Sequence, residues 1–154
     1  MLCNLEKNIL VNLLKQSHDT LLSSERLKFK KCKQWRINFI PSVPGVYAFF
    51  DADGAILYIG ETGNLRERMN EVNRTVNHSF RRQLGCSKYS GIKSKKKFSL
   101  DIEVLLDAFF DEHLYVSFIE VNFGRLEIET YLITRYQQSI LNSKKKRKQD
   151  VLTE

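Results

Sequence analysis

Apolar residues open the chain at helical spacing: Leu5, Ile9, Leu13 and Leu14 fall on one stripe of residues 4–22, which predicts an amphipathic helix. The next segment, SSERLKFKKCKQWRINF, is basic and keeps no such period, and Pro41 and Pro44 break it. GVYAFF (45–50) and AILYIG (55–60) then read as two strands joined through Asp53-Gly54. That dipeptide is a strong hairpin signal, because glycine tolerates the positive φ of tight hairpin turns. After Gly63 and Asn64, LRERMNEVN predicts a helix, HSFRRQLG predicts a second one ending at Gly85, and CSKYSGIKSKKK is a loop by composition. SLDIEVLLDAFFDEHL is rich in apolar residues, but Ile102, Leu105, Leu106, Phe109 and Phe110 repeat at i, i+3, i+4, i+7 and i+8 behind Ser99 as a cap, so helix is the better reading. LYVSFIEV alternates as a strand, and RLEIETYLITRYQQSILN gives a last helix whose apolar content comes from Leu126, Tyr131, Leu132, Ile133 and Tyr136.

This order predicts an α+β fold: a small, mainly antiparallel three-stranded sheet with flanking helices, plus an N-terminal helix. The expected boundaries are a helical extension over 1–43, a central domain over 44–142 and a basic tail over 143–154. The N-terminal helix would serve as core cover or as a contact for a second copy or another protein. No internal repeat is visible.

Length changes this picture little: 154 residues are about one domain, with 42% hydrophobic and 28% charged residues, the balance of a folded globular chain. No apolar stretch approaches the roughly 18 residues of a membrane span, and polar residues interrupt MLCNLEKNILVNLLKQ throughout, unlike a signal peptide. A cytoplasmic protein is expected, with no membrane partner. Cys3, Cys32 and Cys86 are odd in number and far apart, implying neither a disulfide framework nor a zinc site.

Charge placement adds more. The net charge is +7, yet residues 65–97 hold ten basic residues against two acidic, a balance of +8, while residues 98–142 hold eight acidic against two basic, a balance of −6. One part of the surface is therefore suited to a polyanion. Candidate phosphate contacts are Arg66, Arg74, Arg81, Arg82, Lys95, Lys96 and Lys97. The run KKKRK at 144–148 reads as a solvated end or a loose phosphate-binding aid.

Two tyrosines on a hairpin often do nothing but pack. The spacing of other residues shifts the balance: GVY at 45–47, YIG at 58–60, Arg68 ten positions after Tyr58, and far downstream ETYLI from Glu129. Together, in this order, they resemble the GIY-YIG nuclease family over about Pro44 to Asn142, and HSFRRQLG and DEHLYVSF look most like its small stand-alone members.

The resemblance implies a metal-dependent DNA endonuclease acting on double-stranded or branched DNA. In it Tyr47 matches the general base or water-orienting group, Tyr58 its positioning partner, and Arg68 the residue that grips the scissile phosphate. Glu129 matches the sole protein ligand of a divalent metal, Mg²⁺ or Mn²⁺, and Asn142 an asparagine that braces the site. Gly45 and Gly60 would permit close backbone approach or be plain turn glycines. A tyrosine of ordinary pKa near ~10 needs help from Arg68 or a metal to act as a base. Hydroxyls near strand ends are expected on one exposed patch with Arg68. Glu127, two residues before Glu129 and roughly 200° around the helix, should face solvent.

Two familiar helpers are missing. Val72 stands where many members have His or Tyr one turn after the arginine, and Glu61 where repair-type members have lysine after YIG. His78 is the candidate substitute, against the plainer role of a helix cap. These departures keep two other classes open: a nucleic-acid-binding module that retains the fold but cuts poorly, and a partner-dependent subunit.

Overall fold

Alternation along one strand decides the architecture. The computed structural model describes residues 3–142, and in it β2 (Gly45–Phe50) is buried at every position. Tyr47 and Phe49 point to one apolar cluster, and Val46, Ala48 and Phe50 to another. Successive side chains of a strand point to opposite faces, so a strand with cores on both sides reads as one continuous apolar run.

The remaining elements, in chain order, are α1 (Asn4–Ser23), β1 (Leu27–Lys28), α2 (Lys33–Phe39), β3 (Ile56–Thr62), α3 (Leu65–Glu71), α4 (Ser79–Tyr89), α5 (Leu100–His113), β4 (Tyr115–Glu120) and α6 (Arg125–Tyr136). The sheet order is β1-β4-β2-β3 and every pairing is antiparallel. One face carries Trp35 of α2, Leu65 and Met69 of α3, Phe80 and Leu84 of α4, and Leu106 and Phe110 of α5. The other carries Leu21 of α1 and Ile128, Leu132 and Ile133 of α6.

Several expectations are corrected. The sheet has four strands rather than three: Leu27 and Lys28 pair with Val116 and Tyr115, a ladder too short to leave an alternating pattern in the sequence. The basic segment before Pro41 contains α2, capped by Cys32, whose Sγ accepts from the Trp35 N–H at 3.3 Å. Leu21, Phe29, Trp35 and Ile40, from the segment before the hairpin, are all buried. The helix expected to end at Gly85 runs on to Tyr89, because Gly85 is a docking point: a Cβ there would lie 2.3 Å from the Phe98 ring that packs on it. Ser99 occupies the cap position of α5 without a side-chain cap bond.

Among the described residues α1 is anchored at its C-terminal half. His18 Nε2 and the Tyr136 hydroxyl are 2.5 Å apart and Ser117 Oγ donates to Leu21 O at 3.1 Å, while Leu5, Ile9 and Leu13 are exposed. Cys3, Cys32 and Cys86 are free thiols. Among the described residues no helix is long and apolar enough to cross a membrane. The basic tail at 143–154 lies outside the described residues.

Candidate active site

The hairpin places the two tyrosines. Asp51 Oδ1 accepts from the N–H groups of Asp53 and Ala55, and Gly54 takes the positive φ, +87°, that closes the turn. The register sets Tyr47 opposite Gly60 and Phe49 opposite Tyr58, with a bulge next to Phe50. On the shared face the Tyr47 and Tyr58 rings lie 6.5 Å apart, stacked at 24°. The expected exposed patch is corrected: Tyr47 is 1% and Tyr58 9% exposed, because α3, α4 and α5 cover this face of the sheet.

Neither motif glycine is a turn glycine. Both lie in strands, and each is small because something rests on it. A Cβ on Gly60 would meet the Tyr47 hydroxyl at 2.3 Å, and one on Gly45 would meet Ile119 O at 2.4 Å and Leu65 Cδ1 at 2.7 Å.

The start of α4 supplies a partner to each tyrosine. His78 is its N-cap, and Nδ1 accepts from the Phe80 N–H at 3.1 Å. Its Nε2 lies 2.9 Å from the Tyr47 hydroxyl, and Ser79 Oγ lies 2.7 Å from that of Tyr58. Burial, reinforced by Arg68 and Arg82, brings the His78 pKa down to about 3 and keeps the imidazole neutral. Burial also pushes the Tyr47 phenol well above its ordinary pKa, with Tyr58 adding to the rise and Arg68 opposing it. Tyr58 is raised by burial too, opposed first by its bond to Ser79.

α3 presents the arginine. Asn64 caps it by accepting from the Glu67 N–H at 3.2 Å, which sets Arg68 one turn in. Arg68 Nε is 3.3 Å from Glu71 Oε2 but outside hydrogen-bond geometry, so this buried N–H has no acceptor. The guanidinium is ion-paired with Glu71 and about a third exposed, but a buried N–H left without a hydrogen bond is costly and is satisfied by an anion. Val72 is fully buried in the core, so the position one turn on is occupied by packing.

α6 brings the carboxylate. Glu129 is 8% exposed and accepts from the Glu61 N–H at 3.2 Å, while Glu127 faces solvent. The helix buries Ile128, Leu132 and Ile133, and leaves the expected core residue Leu126 53% exposed. Beyond it, Asn142 grips the free edge of β3 with both ends of its amide, Oδ1 accepting from Ile59 N–H at 3.1 Å and Nδ2 donating to Ile59 O at 2.7 Å.

Among the described residues no group of three or more His, Cys, Asp or Glu gathers as a metal cage. Glu129 offers hard carboxylate oxygens, the donor type that suits an ion of the Mg²⁺ type, which keeps most of its waters and takes one or two carboxylates.

The basic candidates separate. Arg82 lines an open groove with Ser79, Lys93 and Lys95, next to the tyrosines, and Lys96 and Lys97 are exposed nearby in sequence. Arg74 is exposed on another groove, and Arg66 is tied to Ile40 O at 2.8 Å. Arg81 is corrected: it is 2% exposed and pairs with Glu103 at 2.8 Å and Asp107 at 2.9 Å, so its charge is spent inside the fold. Sequence reasoning missed Ser79 and the 3.0 Å Arg125–Glu61 ion pair above Glu129. Adjacency to His78 was the only signal for the first, and the second depends on a contact between distant elements.

Residues 43–94 match the family model described as the UvrC-like GIY-YIG domain. Similar proteins include UvrABC system protein C of Brucella abortus (strain 2308), 43% identical over 42 residues, 27% of this chain and 7% of that protein. The same-named protein of Saccharophagus degradans is 49% identical over 37 residues, 24% of this chain and 6% of its own. That of Flavobacterium psychrophilum is 34% identical over 58 residues, 38% and 10% respectively. The chain thus matches a tenth or less of the length of these relatives. Over the stretch that holds the hairpin, Arg68 and His78, the chain carries a segment similar to the UvrC-like GIY-YIG domain.

Proposed function

We propose that this chain is a DNA endonuclease that hydrolyses phosphodiester bonds with the help of a divalent metal. The observation that carries the reading is Arg68: a guanidinium whose buried Nε has no acceptor, set among two tyrosines, a neutral histidine and a carboxylate.

In this reading Arg68 holds the scissile phosphate and opposes the charge that grows on its oxygens. Tyr47 orients the attacking water, whose proton passes to bulk water as the water oxygen bonds to phosphorus and the sugar oxygen departs; Tyr47 takes that proton itself only as phenolate, a form that burial disfavours and Arg68 favours. Tyr58 stacks on Tyr47 and, fixed by Ser79, holds its ring in place. Glu129 would hold Mg²⁺ or Mn²⁺, and the ion would supply charge at the phosphate and the leaving oxygen. Arg82, Lys93 and Lys95 extend the cationic surface beside the site for the neighbouring phosphates.

The burial of Tyr47 favours a second reading, a DNA-binding module with little cleavage, because a 1% exposed residue does not reach a water in this conformation. Cleavage of duplex, nicked, flapped and branched DNA, with Mg²⁺ or Mn²⁺, separates the two. Cutting that falls about 10²- to 10³-fold in Arg68→Ala supports the nuclease; metal-independent binding with no cutting of any substrate supports the module.

A further inference from the structure

His78 reaches Tyr47 from the start of α4 rather than from the helix that carries Val72, and its hydrogen bonds fix which way its proton points. A backbone N–H can only donate, and the Phe80 N–H is directed at His78 Nδ1 from 3.1 Å in a buried setting. Nδ1 therefore carries a lone pair. A neutral imidazole with a bare Nδ1 has its proton on Nε2, and Nε2 faces the Tyr47 oxygen at 2.9 Å. The opposite tautomer would set two N–H groups against each other and strip the cap from α4, which disfavours it by about ten- to a hundredfold.

We propose that His78 is a positioning residue that donates its Nε2–H to Tyr47 Oη, and that it does not act as a base toward Tyr47. The inference rests on the nuclease reading only for its consequence, not for its geometry. The bond uses one lone pair of Oη and leaves the phenolic proton outside it; among the described residues the Tyr47 hydroxyl makes no other hydrogen bond. Gly60 lies against the same oxygen, so it is confined on that side as well. Were the phenol ionised, the His78 N–H would become a donor to an anion, the stronger kind of hydrogen bond. A neutral imidazole is the form required, and burial together with Arg68 and Arg82 keeps His78 in it. The other groups that bear on Tyr47 are Tyr58 of β3, Arg68 and Glu71 of α3, and Glu129 of α6.

Two variants separate capping from donation. In His78→Asn the short amide can still accept from the Phe80 N–H but ends short of Tyr47. In His78→Gln the amide N–H2 reaches toward Oη at the expense of the cap. Long-range proton–nitrogen correlation on ¹⁵N-histidine-labelled wild type at pH 7 is expected to show the Nε2–H tautomer, with that proton close to the Tyr47 ring. An Nδ1–H tautomer or a cationic ring overturns the proposal. For cleavage, a folded His78→Asn is expected to lose at least tenfold and to move its pH profile upward, with His78→Gln recovering part of the loss. A folded His78→Asn with wild-type rate and profile overturns it, and so does His78→Gln as inactive as His78→Asn in a folded state, which is the result for a base. If wild type cuts no DNA, the nuclease reading fails and the tautomer still decides this inference.

Discussion

Replacing Gly60 by alanine adds one methyl group where the structure has no room for it. The new Cβ would stand 2.3 Å from Tyr47 Oη, 2.4 Å from Cζ and 2.8 Å from Cε1. Carbon contacts are comfortable at about 3.5–4.0 Å, so the Tyr47 ring must withdraw by about 1 Å or more. It has nowhere to go: it is 1% exposed, with the Phe49, His78 and Tyr58 rings at 5.3, 6.3 and 6.5 Å. Overpacking costs about 1–3 kcal/mol and loss of the bond to His78 about 1 kcal/mol more. Stiffening of the unfolded chain returns ~0.4–1 kcal/mol. The net expectation is a destabilisation of about 1–3.6 kcal/mol, or roughly 2–14 °C in Tm for a chain of this size. Urea denaturation at pH 7 measures it, with Gly63→Ala as the control, since a Cβ there meets nothing within 4 Å. Equal midpoints and slopes for the two variants would refute the claim that Tyr47 lies on Gly60, and with it the account of why YIG ends in glycine.

Glu129→Gln is expected to abolish metal-dependent cleavage while DNA binding, read by fluorescence anisotropy, is kept or tightened; Glu127→Gln, on the solvent face, should change neither. Arg81→Ala should cost about 3–5 kcal/mol by leaving the Glu103 carboxylate without its buried partner, measured by denaturation, yet leave the DNA affinity of the folded fraction within about twofold. The triple change of Lys95, Lys96 and Lys97 to Ala should do the reverse, leaving stability near wild type and lowering the salt slope of DNA binding by up to ~3. Stability should also rise with pH below neutrality through His78. The folded ring stays neutral to about pH 3 whereas the unfolded ring takes a proton near ~6.5, so the unfolded chain binds more protons in between, at up to ~1.4 kcal/mol per pH unit. Denaturation series between pH 5 and 6.5 should therefore be flatter for His78→Asn than for wild type, and parallel series would show that the ring is not held neutral.

The hairpin, the helices of residues 65–113 and the last strand and helix were legible in the sequence, because each is specified locally. Asp53-Gly54 closes a turn, Asn64 caps a helix, and Ile102 to Phe110 repeat at helical period. The resemblance to the GIY-YIG domain could be read for the same reason, since GVY, YIG and Arg68 lie within one short stretch. What the sequence left open depends on which distant surfaces meet. A two-residue strand such as Leu27–Lys28 has no period of its own and exists only where β4 offers an edge. Arg81 reads as one more cation in a basic run until α5 sets Glu103 and Asp107 against it. The burial of Tyr47 follows from helices packing on both faces of the sheet, which a strand pattern by itself does not count. His78 looks like a lone cap in the chain; only the packing of α4 onto the hairpin turns its second nitrogen toward a tyrosine 31 residues away. Local propensity and motif spacing determined the elements and the identities of the candidate groups, whereas burial, charge pairing and the direction of each proton were decided by tertiary contacts, because those are properties of neighbours the chain brings together only on folding.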